Sequence, residues 1–232
     1  MKKKLLPSFS LYLLLSSSFF FLACETESYE TGQGEYSLMQ TDLGELTIDG
    51  QRQGTSFVTD DGDSYALNAP YTAKWIETPD TTYRTLIYYN KVNASQAELV
   101  AIGMIPTLKP LEHWKFKKLP QDPLDIESAW LSKSGKYLNM GLLLKTGRID
   151  DEEAAHTIGL AQDTLITHPD GHRTAYYRFL HDQNGSPEYY TNRRYVSILL
   201  PDALPDTIRF RMQTHSGRLE RVFMMPKLRS KV

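Results

Sequence analysis

Past residue 35 the chain runs in short stretches where apolar and polar positions alternate, each closed by Gly, Asp, Asn or Pro. A period of two marks a strand with one buried face. "TSFVTDDGDSYAL" (55–67) sets β-formers on both sides of Asp61-Gly62, a dipeptide that accepts positive φ, and predicts a hairpin. "TYRTLIYYNKV" (82–92) and "AELVAIGMI" (97–105) predict two more strands, rich in β-branched and aromatic residues. With a long first strand over 36–49 they make about five strands, and a small closed barrel over 35–106 leaves such a unit no open edge.

"PTLKPLEHWKFKKLPQDP" (106–123) carries four prolines and no sustained period, so residues 107–123 are expected as a connection. Seven further strand runs succeed it: 125–131, 137–145, 156–162, 172–182, 193–200, 206–214 and 219–225. Turn dipeptides separate them, among them Asp170-Gly171 and Asn184-Gly185. Ile208, Phe210 and Met212 face one way, and Arg209, Arg211 and Gln213 the other. Seven short strands joined by tight turns predict an antiparallel β-sandwich over 124–232, with "DDEEAAH" (150–156) as one helical turn. The fold class is therefore all-β: a five-stranded barrel, then a sandwich.

The first thirty residues have another pattern. Three lysines at positions 2–4 precede an apolar and hydroxylic run from Leu5 to Ala23. Pro7 and several serines break that run, and acidic rather than basic residues come after it. It is expected to be a cleaved export signal over 1–23, not a membrane span. Cys24 is the only cysteine, so it has no disulfide partner in the chain. "FLAC" resembles a lipobox, which makes Cys24 the expected lipid-attachment site and the membrane a partner through that anchor. Acyl chains contribute about 0.8 kcal/mol per buried methylene, so more than one chain anchors stably. The polar stretch 24–34 is expected as a flexible tether. Its acidic residues point to an outer-membrane lipoprotein, the cell surface being favoured over the periplasmic face.

Charge divides the chain. Between positions 24 and 106 there are 13 acidic and 4 basic residues; from 107 to 232 there are 15 and 19. A half with nine excess negative charges, tether included, repels phosphate backbones, so nucleic acid is not expected as a partner. "HPDGH" spaces His168 and His172 as a helical metal pair, but Pro169 and Gly171 make the stretch a turn. "DDGD" (60–63) lacks the rest of a calcium loop and is expected as a solvated hairpin tip. No Gly-x-Ser-x-Gly is present, and acylated Cys24 offers no thiol nucleophile. No catalytic residue, metal ligand or cofactor is assigned, and a non-catalytic binding protein is expected.

Candidate binding residues are aromatic and basic. Tyr88 and Tyr89 are adjacent on one strand, so one of them faces out and can act as a stacking platform. Arg209 and Arg211, with Arg178 and Arg221 on other strands, are candidates for a basic stripe that suits anionic glycans or an acidic partner. Asp80-Thr81, Asp163-Thr164 and Asp206-Thr207 resemble bacterial O-glycosylation acceptors, which nominates Thr81, Thr164 and Thr207.

The order of parts is itself informative. A lipobox, an acidic tether, a barrel with "FVTDDGDSYAL" and then "DPLDIESAWLSKSGKYLNMGLLLK" resemble the NigD-like lipoproteins of anaerobic Gram-negative bacteria. Trp130 and then the "YLN" of Tyr137, Leu138 and Asn139 carry the likeness in the second half. The resemblance implies an OB-like first domain and a β-sandwich second domain, and it implies no reaction. It adds bacteriocin immunity as one role for a binding or adaptor module with an envelope or extracellular partner. Two alternatives stay open: a carbohydrate-binding accessory lipoprotein and a cryptic hydrolase.

Overall fold

The computed structural model describes residues 38–149, 152–153 and 155–225. Cys24, the 24–34 tether and the last seven residues lie outside the described residues.

Five strands close a barrel in the order β1-β2-β3-β5-β4: β1 (Gln40–Ile48), β2 (Gly54–Thr59), β3 (Ser64–Tyr71), β4 (Thr81–Lys91) and β5 (Gln96–Met104). Neighbours run antiparallel except β3 and β5, which pair parallel. This is the five-stranded barrel expected of an OB-like domain. Alternation builds its interior: Leu46, Ile48, Phe57, Tyr65, Ile87 and Tyr89 form one buried cluster. The Phe57, Tyr65 and Tyr89 rings lie 4.9–5.4 Å apart, within the range for favourable aromatic packing. Gly44 lets β1 and β2 approach, because a Cβ there would sit 2.6 Å from the Val58 carbonyl oxygen.

The expected connection contributes strands to both sheets of the sandwich. β6 (Thr107–Leu108) runs parallel to one strand of the first sheet, and β7 (Leu111–Glu112) runs parallel to one strand of the second. Pro106 and Pro110 lack an N–H, which suits strands that are short and at sheet edges. A 3-10 turn occupies His113–Lys115. It is the only helical segment among the described residues.

The sandwich strands are β8 (Asp125–Leu131), β9 (Tyr137–Thr146), β12 (Thr157–Thr167), β13 (Arg173–Asp182), β14 (Tyr190–Leu199), β15 (Thr207–Thr214) and β16 (Gly217–Met224). One sheet has the order β6-β14-β9-β8 and the other β16-β15-β13-β12-β7. Along the chain between β9 and β12, β10 (Arg148–Ile149) pairs with β11 (Glu152–Glu153). Glu152 and Glu153, inside the stretch expected as a helical turn, are thus strand and not helix. A second correction concerns strand direction: β13 and β15 pair parallel, as do β6–β14 and β7–β12. The chain leaves β13 for β14 in the opposite sheet and returns as β15, which forces a parallel neighbour. Leu138, Met140, Leu142, Val196 and Ile198 from one sheet pack on Leu160, Tyr177, Phe179, Ile208 and Phe210 from the other in a single core.

Candidate functional site

β4 carries two different faces. Ile87 and Tyr89 point into the barrel, which places Arg84, Leu86 and Tyr88 on its outer wall. Arg84 is the anchor. Its guanidinium grips Asp60 with both ends, 2.6 Å to each carboxylate oxygen. It also donates to Ser197 Oγ at 2.9 Å and to Asn139 Oδ1 at 3.0 Å, and lies 4.1 Å from the centre of the Tyr137 ring. Ser197 donates to Asn139 Oδ1, and Asn139 donates back to Asp60. The Arg84 side chain is 2% exposed and that of Asp60 15%. A buried ion pair persists only when its remaining hydrogen-bonding groups are also satisfied, and this loop of bonds does so. It joins the barrel to the outer face of the β6-β14-β9-β8 sheet.

A second contact lies beside it. Glu45 of β1 accepts hydrogen bonds from Lys136 Nζ and from the Tyr137 hydroxyl. Burial acts to raise the Glu45 pKa, but Lys136, Tyr137 and the Arg84 charge outweigh it and hold the carboxyl below its ordinary value. Burial, then the bond to Glu45, pushes the Tyr137 hydroxyl above the usual tyrosine range. Lys133 meets Asp61 at 2.7 Å. The "DDGD" stretch is therefore not a wholly solvated tip: Asp60 is half-buried on Arg84 and Asp61 is ion-paired. Sequence reasoning missed this site. Its one signal was a lone arginine inside an aromatic and β-branched run.

Next to this joint a cleft of about 750 Å³ opens. Leu86, Tyr88, Met104 and Ile105 line its barrel side; Leu144, His156, Ile158 and residues 192–196 line its sandwich side. Tyr195 packs edge-on against Trp130, centroids 6.3 Å apart, and Arg193 pairs with Glu127. His156 stacks on buried His181, their nitrogens Nδ1 and Nε2 2.8 Å apart. His181 Nδ1 faces the Asp122 carbonyl at 3.1 Å, so its proton belongs there and His156 donates to Nε2. The cleft walls thus mix apolar and aromatic side chains with polar and basic ones. That composition suits binding, since it combines apolar contact area with a few directed polar groups.

The candidate residues separate. Tyr88 lies in the cleft. Tyr89 does not: it is 1% exposed, sits in the barrel core and donates to Asp42. The two tyrosines therefore form no shared platform. Arg211 and Arg178 both bind Asp163, and Arg209 binds Glu220 at 2.8 Å. Arg221 opposes buried Phe210 in the β15–β16 register, on the other face from Arg209 and Arg211. The basic stripe is corrected to a row of ion pairs, with Arg221 outside it. Thr164 is exposed beside the β12 bulge and Thr81 is half-buried at the start of β4. Thr207 is 6% exposed and hydrogen-bonded to His172.

His168 and His172 sit in a turn, as expected, with Gly171 at φ +84°. Each turns its Nε2 to a threonine, His168 to Thr174 and His172 to Thr207. The two rings are neighbours, centroids 5.8 Å apart, but no group of three metal-ligating residues occurs among the described residues. Asp206 Oδ2 is 3.9 Å from His172 Nδ1, beyond hydrogen-bond reach, so Thr207, His172 and Asp206 lack the orienting bond of an acyl-transfer triad.

No family model matches the chain, and no curated protein does. Solved structures do match. A NigD-like immunity protein from Bacteroides caccae superposes with a TM-score of 0.61 at 21% identity, over 81% of this chain and 98% of that one. A protein of unknown function from Bacteroides vulgatus gives 0.59 at 17% identity, over 83% and 94%. A candidate toxin-related protein from Parabacteroides distasonis gives 0.58 at 20%, over 80% and 92%. At these identities the likeness shows a shared fold, the one the NigD-like resemblance implied.

Proposed function

We propose that the chain is a non-catalytic binding protein, held at the outer membrane by acylated Cys24, whose ligand seats in the cleft beside the barrel. The observation that carries this reading is the cleft itself: a groove of apolar and aromatic side chains interspersed with polar and basic ones, next to a joint that holds a closed Arg84–Asp60–Asn139–Ser197 network. A wall fixed in this way needs little reordering on binding, which favours affinity. The name of one structural relative, an immunity protein, supports a protective role in which the partner is a toxic polypeptide or its envelope target.

A photo-crosslinking residue at position 88, in living cells, tests the site. Val222, 49% exposed on β16, serves as the control position. A discrete partner adduct is expected from position 88 and not from 222. Equal adducts from both positions, or none from 88, overturn the reading. The anchor is tested separately: labelled palmitate is expected to mark the wild type and not Cys24→Ser. An unlabelled wild-type chain refutes the lipid.

A further inference from the structure

β14 pairs with β9 along its whole length, and on its other side, among the described residues, it meets β6 at Ser197 and Ile198 alone. The phase of its free edge is fixed by one bond. Ser197 N–H donates to the Pro106 carbonyl at 3.0 Å, so the main-chain groups of Ser197 point away from β9. The β9–β14 ladder has no register break, so those of Tyr195, Arg193 and Thr191 point the same way. Among the described residues no strand meets them. The chain that would continue β6 alongside them has turned into the barrel instead, where Ile105 N–H donates to the Arg84 carbonyl at 2.8 Å. Sheet and barrel fork at Pro106, and Tyr195, Arg193 and Tyr88 all line the cleft in that fork.

We propose that the fork receives an extended segment of a partner polypeptide, which adds to β14 as a further strand and carries acidic side chains among apolar ones. This rests on the cleft being the binding site and names the class of partner. Main-chain N–H and C=O groups that no described strand meets, on every second residue, are a template for another main chain. Charge selects the side chains: Arg194 and Arg193, the latter ion-paired with Glu127, line the cleft, and no carboxylate does so among the described residues. Apolar side chains of the incoming strand would lie against Leu86, Tyr88 and Met104, the last 51% exposed.

The test uses the whole mature chain and a phage-displayed library of linear heptapeptides. Arg193→Pro deletes one cleft-facing N–H and leaves the bonds to β9 in place, a position where an edge strand accepts proline. Arg193→Ala keeps the N–H and removes the charge. Enriched peptides are expected to mix Asp or Glu with apolar residues and to bind Arg193→Pro about tenfold or more weakly than Arg193→Ala. Peptides N-methylated at alternate residues are expected to lose about as much. If Arg193→Pro fails to fold, the N-methylated peptides alone decide. Peptides indifferent to both changes overturn the inference, as does a selection that enriches nothing. In that case an adduct from position 88 would still uphold the cleft as a site for another kind of ligand, and its absence would remove both readings.

Discussion

Tyr88 and Tyr89 are chemically identical neighbours with opposite duties. Tyr89 fills the barrel with Phe57 and Tyr65, so Tyr89→Ala is expected to cost about 3–5 kcal/mol in denaturant unfolding. Tyr88→Ala is expected to cost under about 1 kcal/mol while weakening ligand capture, since cleft residues serve binding more than packing. Equal losses of stability in the two variants would contradict the assignment of faces. Arg84→Ala leaves half-buried Asp60 without its counter-charge and is expected to cost about 2–4 kcal/mol by the same measurement. A loss below about 1 kcal/mol would show that water replaces the network. The sequence told that Tyr88 and Tyr89 face opposite ways, but not which way. Leu86-Ile87-Tyr88-Tyr89 is apolar or aromatic at every position, so alternation alone cannot say which parity faces the barrel interior. The partners of Arg84 were out of reach too, because Asn139 and Ser197 lie 55 and 113 residues away along the chain.

At the scale of strands, period-two patterning located the barrel and sandwich elements because each buries one face. It failed where burial is not what sets the structure. β6 and β7 are two residues each, too short for any period, and exist because a neighbouring strand offers hydrogen bonds. The parallel β13–β15 pair arises from the path between sheets, which no local pattern encodes. Close approach is a further determinant of the barrel. Gly44→Ala drives a Cβ against the Val58 carbonyl, and with backbone as the obstacle the β1–β2 pair must shift. The expected cost is about 1–3 kcal/mol. A thermal midpoint unchanged from wild type would show that the barrel wall yields freely.

Taken whole, the molecule uses its charge asymmetry at the joint. Glu45 and Asp61 come from the acidic half and meet Lys136 and Lys133 from the basic half. Because Glu45 titrates below its unfolded value, its contribution is present at neutral pH and is lost as pH falls below about 4. Glu45→Gln is therefore expected to be less stable than wild type at pH 7, with the difference narrowing towards pH 3. Parallel stability curves for the two proteins would contradict that linkage. The joint matters because it sets the cleft, where the barrel wall and the β14 edge face each other. Hydrogen exchange on the complex isolated from detergent-solubilised envelopes, compared with the protein alone, reports directly on that cleft. Added protection should fall on residues 191–196 and 86–88, and not on the free edge of β16 over 217–224. Protection confined to β16 or the outer face of its sheet, or no change at 191–196, would place the ligand elsewhere.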